Sequence, residues 1–290
     1  MKKLLLLLTL LAVTRSSVAQ RDPNILRVET RLIEVYATVM DNHGHYKDDL
    51  SANHFHVLDN GEPQTIKYFE TTYQPLHCAI LLDTTASMAK VLPTLKNALL
   101  QFVDQLGEGD DIALYNFDEK VQTQQDFTKD KAAIKRAAMR LHAQGRTALF
   151  DAVSEVSRDM NDLAGKKAII VFTDGDDNTS ALTAQSAVER ARKSGIPLFT
   201  IAEGEAVSSP QLRRLLVDMS TSTGGSSFEV KEPKDMQGVF ARISEQMQHI
   251  YLLAYQPKIK PLDGKWRKIE VSIEGSNEYR IRAKQGYFPR

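Results

Sequence analysis

LHCAILLDTTASM, residues 76–88, is the stretch on which the reading of the fold turns. Leu76 to Leu82 is a short apolar run that reads as a buried strand. It stops at Asp83 and gives way to Thr84, Thr85, Ala86 and Ser87. From Met88 the period changes. Val91, Leu95, Leu99, Phe102 and Leu106 recur at helical spacing until Gly107-Glu108-Gly109 ends the run. A strand apolar along its whole length needs cover on both faces, and a helix following directly supplies it.

The alternation continues downstream. Strands are expected at Asp111–Phe117, Lys167–Phe172, Pro197–Ala202 and Ser226–Val230. Helices are expected at Lys129–His142, Thr147–Ala164, Ser180–Ser194, Gln211–Ser220 and Asp235–His249. Residues 76–250 therefore read as an α/β fold, a doubly wound and mostly parallel sheet with helices on both faces.

The flanks carry no helical period. Leu32–Met40, Phe55–Leu58, Thr65–Phe69, Tyr251–Tyr255, Trp266–Ile273 and Tyr279–Ala283 read as strands, with a turn at Asp59-Asn60-Gly61. Residues 20–75 and 251–290 are each too short for a stable sandwich alone. They are expected to pair as one discontinuous β-sandwich-like domain, with Trp266, Tyr251 and Tyr255 in its core.

The first nineteen residues stand apart. Lys2 and Lys3 precede an apolar run, Leu4 to Val13, and Ser17-Val18-Ala19 offers small residues for cleavage after Ala19. This is the pattern of a secretory signal peptide. The mature chain is expected outside the cytoplasm, periplasmic or secreted, with no membrane span after cleavage. Losing Lys2, Lys3 and Arg15 leaves 34 basic residues against 37 acidic. That balance is not the basic footprint of a nucleic-acid binder. Cys78 is the only cysteine, so no internal disulfide forms, and its apolar setting suits a buried, inert thiol.

In open α/β sheets, ligands sit beyond the carboxyl ends of the strands. The informative polar residues follow the apolar runs. Asp83, Thr85 and Ser87 alternate, so one loop can point three oxygens one way. Thr147, in Gly145-Arg146-Thr147-Ala148-Leu149, adds a hydroxyl, and Asp174, after Ile169–Phe172 and Thr173, adds a carboxylate. A hard cation such as Mg²⁺ takes oxygen ligands in octahedral array and keeps some waters, and this set would serve it. Mn²⁺ and Ca²⁺ are the alternatives. The same residues also suit turns and helix caps, and Ser87 before a long helix fits that role by itself.

These motifs resemble the metal-ion-dependent adhesion site of von Willebrand factor A-type domains. Asp83-x-Thr85-x-Ser87-Met88, Thr147 in Gly-x-Thr-Ala-Leu, and Thr173-Asp174-Gly175 occur in the family's order, each at the expected strand end. Thr85 stands where serine is usual and Ala86 where glycine is usual; neither change removes a ligand atom. The flanks, Phe55-x-Val57-x-Asp59-Asn60-Gly61-x-Pro63-Gln64 and Gly286-Tyr287-Phe288, are similar to those of secreted bacterial VWFA-related proteins. The resemblance implies that Thr85 and Ser87 bind the metal directly and that Thr147 binds directly or through water. It implies that Asp83 and Asp174 act mainly through water. The open position would take an acidic side chain of a protein partner. The chain is then a non-enzymatic binding module, for adhesion or scaffolding.

Two alternatives stand beside this reading. One is a Mg²⁺-dependent phosphatase with Asp83 as nucleophile. That haloacid-dehalogenase-like pattern wants a second Asp at position 85, and Thr85 cannot do acid–base work. The other is a scaffold with a vestigial site. Asp174-Gly175-Asp176-Asp177-Asn178 lacks the glycine and terminal Glu of the helix–loop–helix calcium motif, so Asp176 and Asp177 read as solvated rim carboxylates. His43 with His45, and His54 with His56, form pairs two apart that could share a strand face for a transition metal, but no Cys or carboxylate pattern joins them.

Overall fold

A computed structural model describes residues 32–71, 75–175, 177–257, 263–274 and 278–289. The expected signal peptide lies outside them. The leading flank supplies β1 (Ile33–Asp41), β2 (Phe55–Asp59), β3 (Glu62–Gln64) and β4 (Ile66–Glu70). Then come β5 (Leu76–Asp83), α1 (Leu92–Gln105), β6 (Asp111–Phe117), β7 (Val121–Thr128), α2 (Lys131–Arg140) and α3 (Leu149–Asp159). They are followed by β8 (Lys166–Thr173), α4 (Ala184–Ser194), β9 (Leu198–Ala202), α5 (Gly204–Ser208) and α6 (Pro210–Thr223). β10 (Ser227–Glu229) and α7 (Met236–Gln248) precede the trailing strands β11 (Tyr251–Tyr255), β12 (Arg267–Ile273), β13 (Tyr279–Ala283) and β14 (Gly286–Tyr287).

The six-stranded sheet runs β10-β9-β8-β5-β6-β7. β5 lies between β8 and β6, parallel to both, which is why Cys78–Leu82 had to be apolar on both faces. Leu95, Leu99 and Phe102 of α1 pack with Val239, Phe240 and Ile243 of α7 in one core. Val153 and Val156 of α3 join Val188, Leu212 and Leu216 in the other. The doubly wound sheet is therefore observed.

Short elements β3, α5 and β14 were not expected, and three further local features differ from expectation. β7 was not expected: Gln122–Asp126 is polar and shows no clean alternation. It forms an antiparallel edge on β6, whose backbone supplies the partners. The first long helix begins as a 3₁₀ turn over Ala86–Lys90, and the α-helix starts at Leu92 with Pro93 in its first turn. Trp266 is half-buried and lies before β12 rather than in the sandwich core. It meets Phe288 edge-on at 5.0 Å, and the Arg192 guanidinium of α4 lies 5.7 Å from its ring centre.

The flanking strands form two four-stranded sheets, β13-β1-β11-β4 and β14-β12-β2-β3. Each joins strands from before and after the α/β segment. In the first sheet, Val35, Val39, Tyr251 and Leu253 face the second sheet, while Tyr36 and Leu252 contribute to the α/β core. Period-2 geometry sends alternate side chains into two different cores. The two flank motifs meet across the sandwich. Tyr255 and Tyr287 both donate to the buried Asp59 Oδ2, at 3.0 and 2.8 Å. Beside it Asn60 (φ 48°) and Gly61 (φ 82°) make the β2–β3 turn. Tyr287→Phe removes one of these bonds to a carboxylate and should cost roughly 1.5–3 kcal/mol. The urea midpoint of the variant checks this; an unchanged midpoint would mean the bond carries no weight.

The α/β segment is also pinned to the flanks at Gly224-Gly225, beyond α6. Gly224 ends the helix at φ +90°, and a Cβ there would lie 2.9 Å from the Lys284 amide nitrogen. Among the described residues no helix is long and apolar enough to cross a membrane.

Candidate functional site

The site is built where β5 and β8 end side by side. Asp83, the last residue of β5, is fully buried. Its Oδ1 accepts the Thr85 amide at 3.0 Å and its Oδ2 accepts the Thr173 hydroxyl at 2.8 Å. The Thr85 and Ser87 hydroxyl oxygens lie 3.0 Å apart, and the Ser87 hydroxyl donates to Asp174 Oδ1 at 3.0 Å. Thr85, Ser87 and Asp174 thus form one hydrogen-bonded chain above the Asp83 floor. Thr85 and Asp174 are buried while Ser87 is exposed, so the cluster opens outward.

Burial pushes the Asp83 carboxyl up to about 6, against the pull of its hydrogen bonds from Thr85 and Thr173, and Asp174 adds to the rise. Asp174 is also raised, first by burial and then by Glu205, with its bond from Ser87 opposing. Glu203, which follows β9, is raised by burial and by Asp174. Among the described residues, neither Asp83 nor Asp174 has a basic side chain within ion-pair distance. Desolvated carboxylates without a cation are costly, and the cost shows as raised pKa values.

Thr147 sits on the adjoining loop, almost fully buried. That loop is tied to the end of β5: Gln144 donates to the Thr84 carbonyl at 2.7 Å and Ala86 to the Gly145 carbonyl at 3.2 Å. Gly145 has φ +76°, and a Cβ there would lie 3.0 Å from Asp118 Cβ. Among the described residues the Thr147 hydroxyl makes no hydrogen bond to the other four candidates, so the loop adjoins the chain without joining it.

Several supporting residues were not assigned from sequence. Thr173, quoted only as part of a motif, holds Asp83. Thr84 donates to the Phe117 carbonyl at 3.2 Å and accepts from Asn116 at 2.8 Å, and Gln124 donates to Asn116 at 2.7 Å. The available signal was an amide, Asn116, inside an otherwise apolar strand. Asp177 corrects an expectation. It is half-buried and accepts the Phe150 amide at the start of α3 at 2.8 Å, so it is a helix cap rather than a solvated rim charge. Asp176 lies outside the described residues. His45 engages Asp41 and His54 engages Ser51. No group of three or more His, Cys, Asp or Glu is placed to hold an ion among the described residues. The candidate donor set is therefore two carboxylates and three hydroxyls, all hard oxygen donors.

Fold and cluster together define a class: a doubly wound α/β domain with hydroxyl and carboxylate oxygens gathered at the carboxyl end of its sheet. The family model of the von Willebrand factor type A domain matches residues 78–242, more than half of the chain, and the protein belongs to that family. A curated relative, the uncharacterized protein sll0103 of Synechocystis sp., is 25% identical over 189 residues. The match covers 61% of this chain and 43% of the relative's length. Among solved structures, a von Willebrand factor type A protein from Catenulispora acidiphila superposes with TM-score 0.52 at 13% identity, covering 88% of this chain and 73% of its own. Proximal thread matrix protein 1 from the mussel byssus gives TM-score 0.53 at 16% identity, covering 79% and 51%. The PilB minor pilin from Streptococcus sanguinis gives 0.51 at 15%, covering 61% and 62%. At these identities the likeness is one of fold.

Proposed function

We propose that this is an exported, non-enzymatic binding module that captures a carboxylate of a protein partner through Mg²⁺. The observation that carries the proposal is the chain of three oxygens, Thr85 Oγ1, Ser87 Oγ and Asp174 Oδ1, at successive 3.0 Å spacings. Ligands at 2.0–2.1 Å on adjacent corners of an octahedron lie about 2.9 Å apart, so the Thr85–Ser87 spacing fits two direct ligands of a small hard cation, while Asp174 Oδ1 orients the Ser87 hydroxyl from outside that shell. The two uncompensated carboxylates beside it supply the charge. Thr85 and Ser87 would hold the ion by hydroxyl oxygen, and Thr147 directly or through water. Asp83 and Asp174 would act through water and keep the hydroxyls oriented. When bound, the ion supplies a positive centre open to an external carboxylate. Ser87, exposed at the mouth, marks the side of entry. The Ser17-Val18-Ala19 leader supports export, and the fold is shared with a minor pilin and a thread matrix protein.

The burial of Asp83 argues against the phosphatase alternative. Both of its oxygens are engaged and no face of it is open to a phosphate. Titration calorimetry of the mature protein against MgCl₂ tests the ion. Pulldown from an envelope extract with Mg²⁺ or chelator, using wild type and Asp83→Ala, then tests the partner, with acidic peptides and their amidated counterparts as competitors. Heat of binding and carboxylate-dependent competition are expected. Phosphatase turnover lost in Asp83→Asn would overturn the reading.

A further inference from the structure

The run Asp177–Leu182 is laced to Arg146–Asp151, the segment that carries Thr147. Asp177 Oδ2 accepts the Phe150 amide at 2.8 Å and the Ser180 hydroxyl at 2.6 Å, while its Oδ1 accepts the Ser180 amide at 3.0 Å. Asp151 answers from α3: its Oδ2 accepts the Ala181 amide at 2.8 Å and its Oδ1 the Leu182 amide at 3.1 Å. Ser180 Oγ in turn accepts the Asp151 amide at 3.0 Å. Asn178, the chain neighbour of Asp177, carries the link to Thr147. Its Oδ1 accepts the Thr147 amide at 3.2 Å, and its own amide donates to the Thr147 carbonyl at 3.0 Å.

α3 has no cap of its own. Its N-cap residue is Ala148, which offers no side-chain acceptor, so the first turn would leave amides unpaired. Asp177 meets that need from another loop, and the positive end of the helix offsets its charge. Thr147 stands immediately before this helix. Its backbone is bonded on both sides to the loop that follows Asp174, not to its own helix.

We propose that Asp151 and Asp177 are positioning residues that hold Thr147 at the candidate metal site, coupling the loop after β8 to the start of α3. This rests on the reading that the site binds a divalent cation. Asp177 then serves to fix one ligand rather than to bind a second ion. Removing residues that orient ligands typically lowers metal affinity by about 10–100-fold.

A double-mutant cycle tests the coupling. Mg²⁺ and Mn²⁺ affinities would be measured by calorimetry on the full mature chain for wild type, Asp177→Ala, Thr147→Ala and the double variant. Metal-free urea midpoints would be recorded in parallel. Asp177→Ala is expected to weaken Mg²⁺ binding at least about 10-fold. It should add little once Thr147 is already alanine, while lowering the metal-free midpoint in both backgrounds. Asp177→Asn keeps one acceptor oxygen, for the Phe150 amide, and loses the one facing the Thr179 and Ser180 amides, so it should recover part of the affinity. If Asp177→Ala is too unstable, Asp151→Ala, which removes the acceptors of the Ala181 and Leu182 amides, probes the other half of the clamp. Equal losses in both Thr147 backgrounds, or an Asn variant as weak as alanine, would overturn the proposal in favour of a simple charge effect. An Asp177→Ala protein with wild-type affinity would also overturn it. A wild-type chain that binds neither ion would sink the metal reading itself, an outcome distinct from the loss of coupling alone.

Discussion

Asp83→Asn is expected to raise the metal-free stability of the protein at neutral pH and, in the same molecule, to abolish its stabilisation by Mg²⁺. The side chain is fully buried and its carboxyl is raised from the ordinary 3.8 to about 6, chiefly by desolvation. A folded pKa above the unfolded one means that the folded state binds the proton more tightly. Its contribution is therefore fully present below pH 3.8 and is lost as pH rises through about 6. Over that window the metal-free protein should lose on the order of 3 kcal/mol. Asparagine is never charged and escapes the loss. Its amide can be accommodated, because the Thr173 hydroxyl can turn to the Gly175 carbonyl, 3.3 Å away, and accept from the new N–H. In wild type, Mg²⁺ reverses the trend, since it favours the deprotonated carboxylate. At one hundred times its Kd an ion adds about 2.7 kcal/mol. For a chain of this size that amounts to roughly 5–10 °C in Tm. Melting curves from pH 4 to 8, with Mg²⁺ or chelator, should separate progressively for wild type and stay superposed for Asp83→Asn. Superposed wild-type curves at every pH would remove the basis for a metal at this position.

Gly225→Ala should be strongly destabilising, at roughly 3 kcal/mol. A Cβ at residue 225 would run into the backbone nitrogen, carbon and oxygen of Leu198, the first residue of β9. The Leu198 amide is already committed to the Thr223 hydroxyl at 3.0 Å, and the Gly225 amide to the Ser220 carbonyl at 3.0 Å. Neither backbone can retreat without breaking a bond. A shift of β9 would pass to β8, its parallel neighbour, whose end carries Thr173 and leads into Asp174. Loss of stability should therefore come with weaker metal binding. The urea midpoint and a Mg²⁺ titration check the two parts separately; a wild-type midpoint would show that the α6–β9 seam has slack.

Much of the fold was legible because burial writes itself into composition. Cys78–Leu82 and Ala168–Phe172 are apolar on both faces because both strands lie inside a covered sheet. β7 was illegible for the converse reason. An edge strand needs partners for its backbone but few apolar side chains, so Gln122–Asp126 left no period to read. Trp266 was misplaced because an aromatic residue in a β-rich segment favours a core, whereas Phe288 and Arg192 give it a half-open seat.

For the site the division is similar. The sequence by itself determined the alternating strands and helices, the family, and the hydroxyl and carboxylate residues that follow each strand, since those depend on order along the chain. Only the tertiary structure decided that Thr85, Ser87 and Asp174 form a 3.0 Å chain, that Asp83 lies beneath it with Thr173 as its partner, and that Asp177 caps α3. Those relations join residues up to 90 positions apart. They arise from the parallel register of β5 beside β8 and from the path of the loops beyond it, which no local pattern encodes.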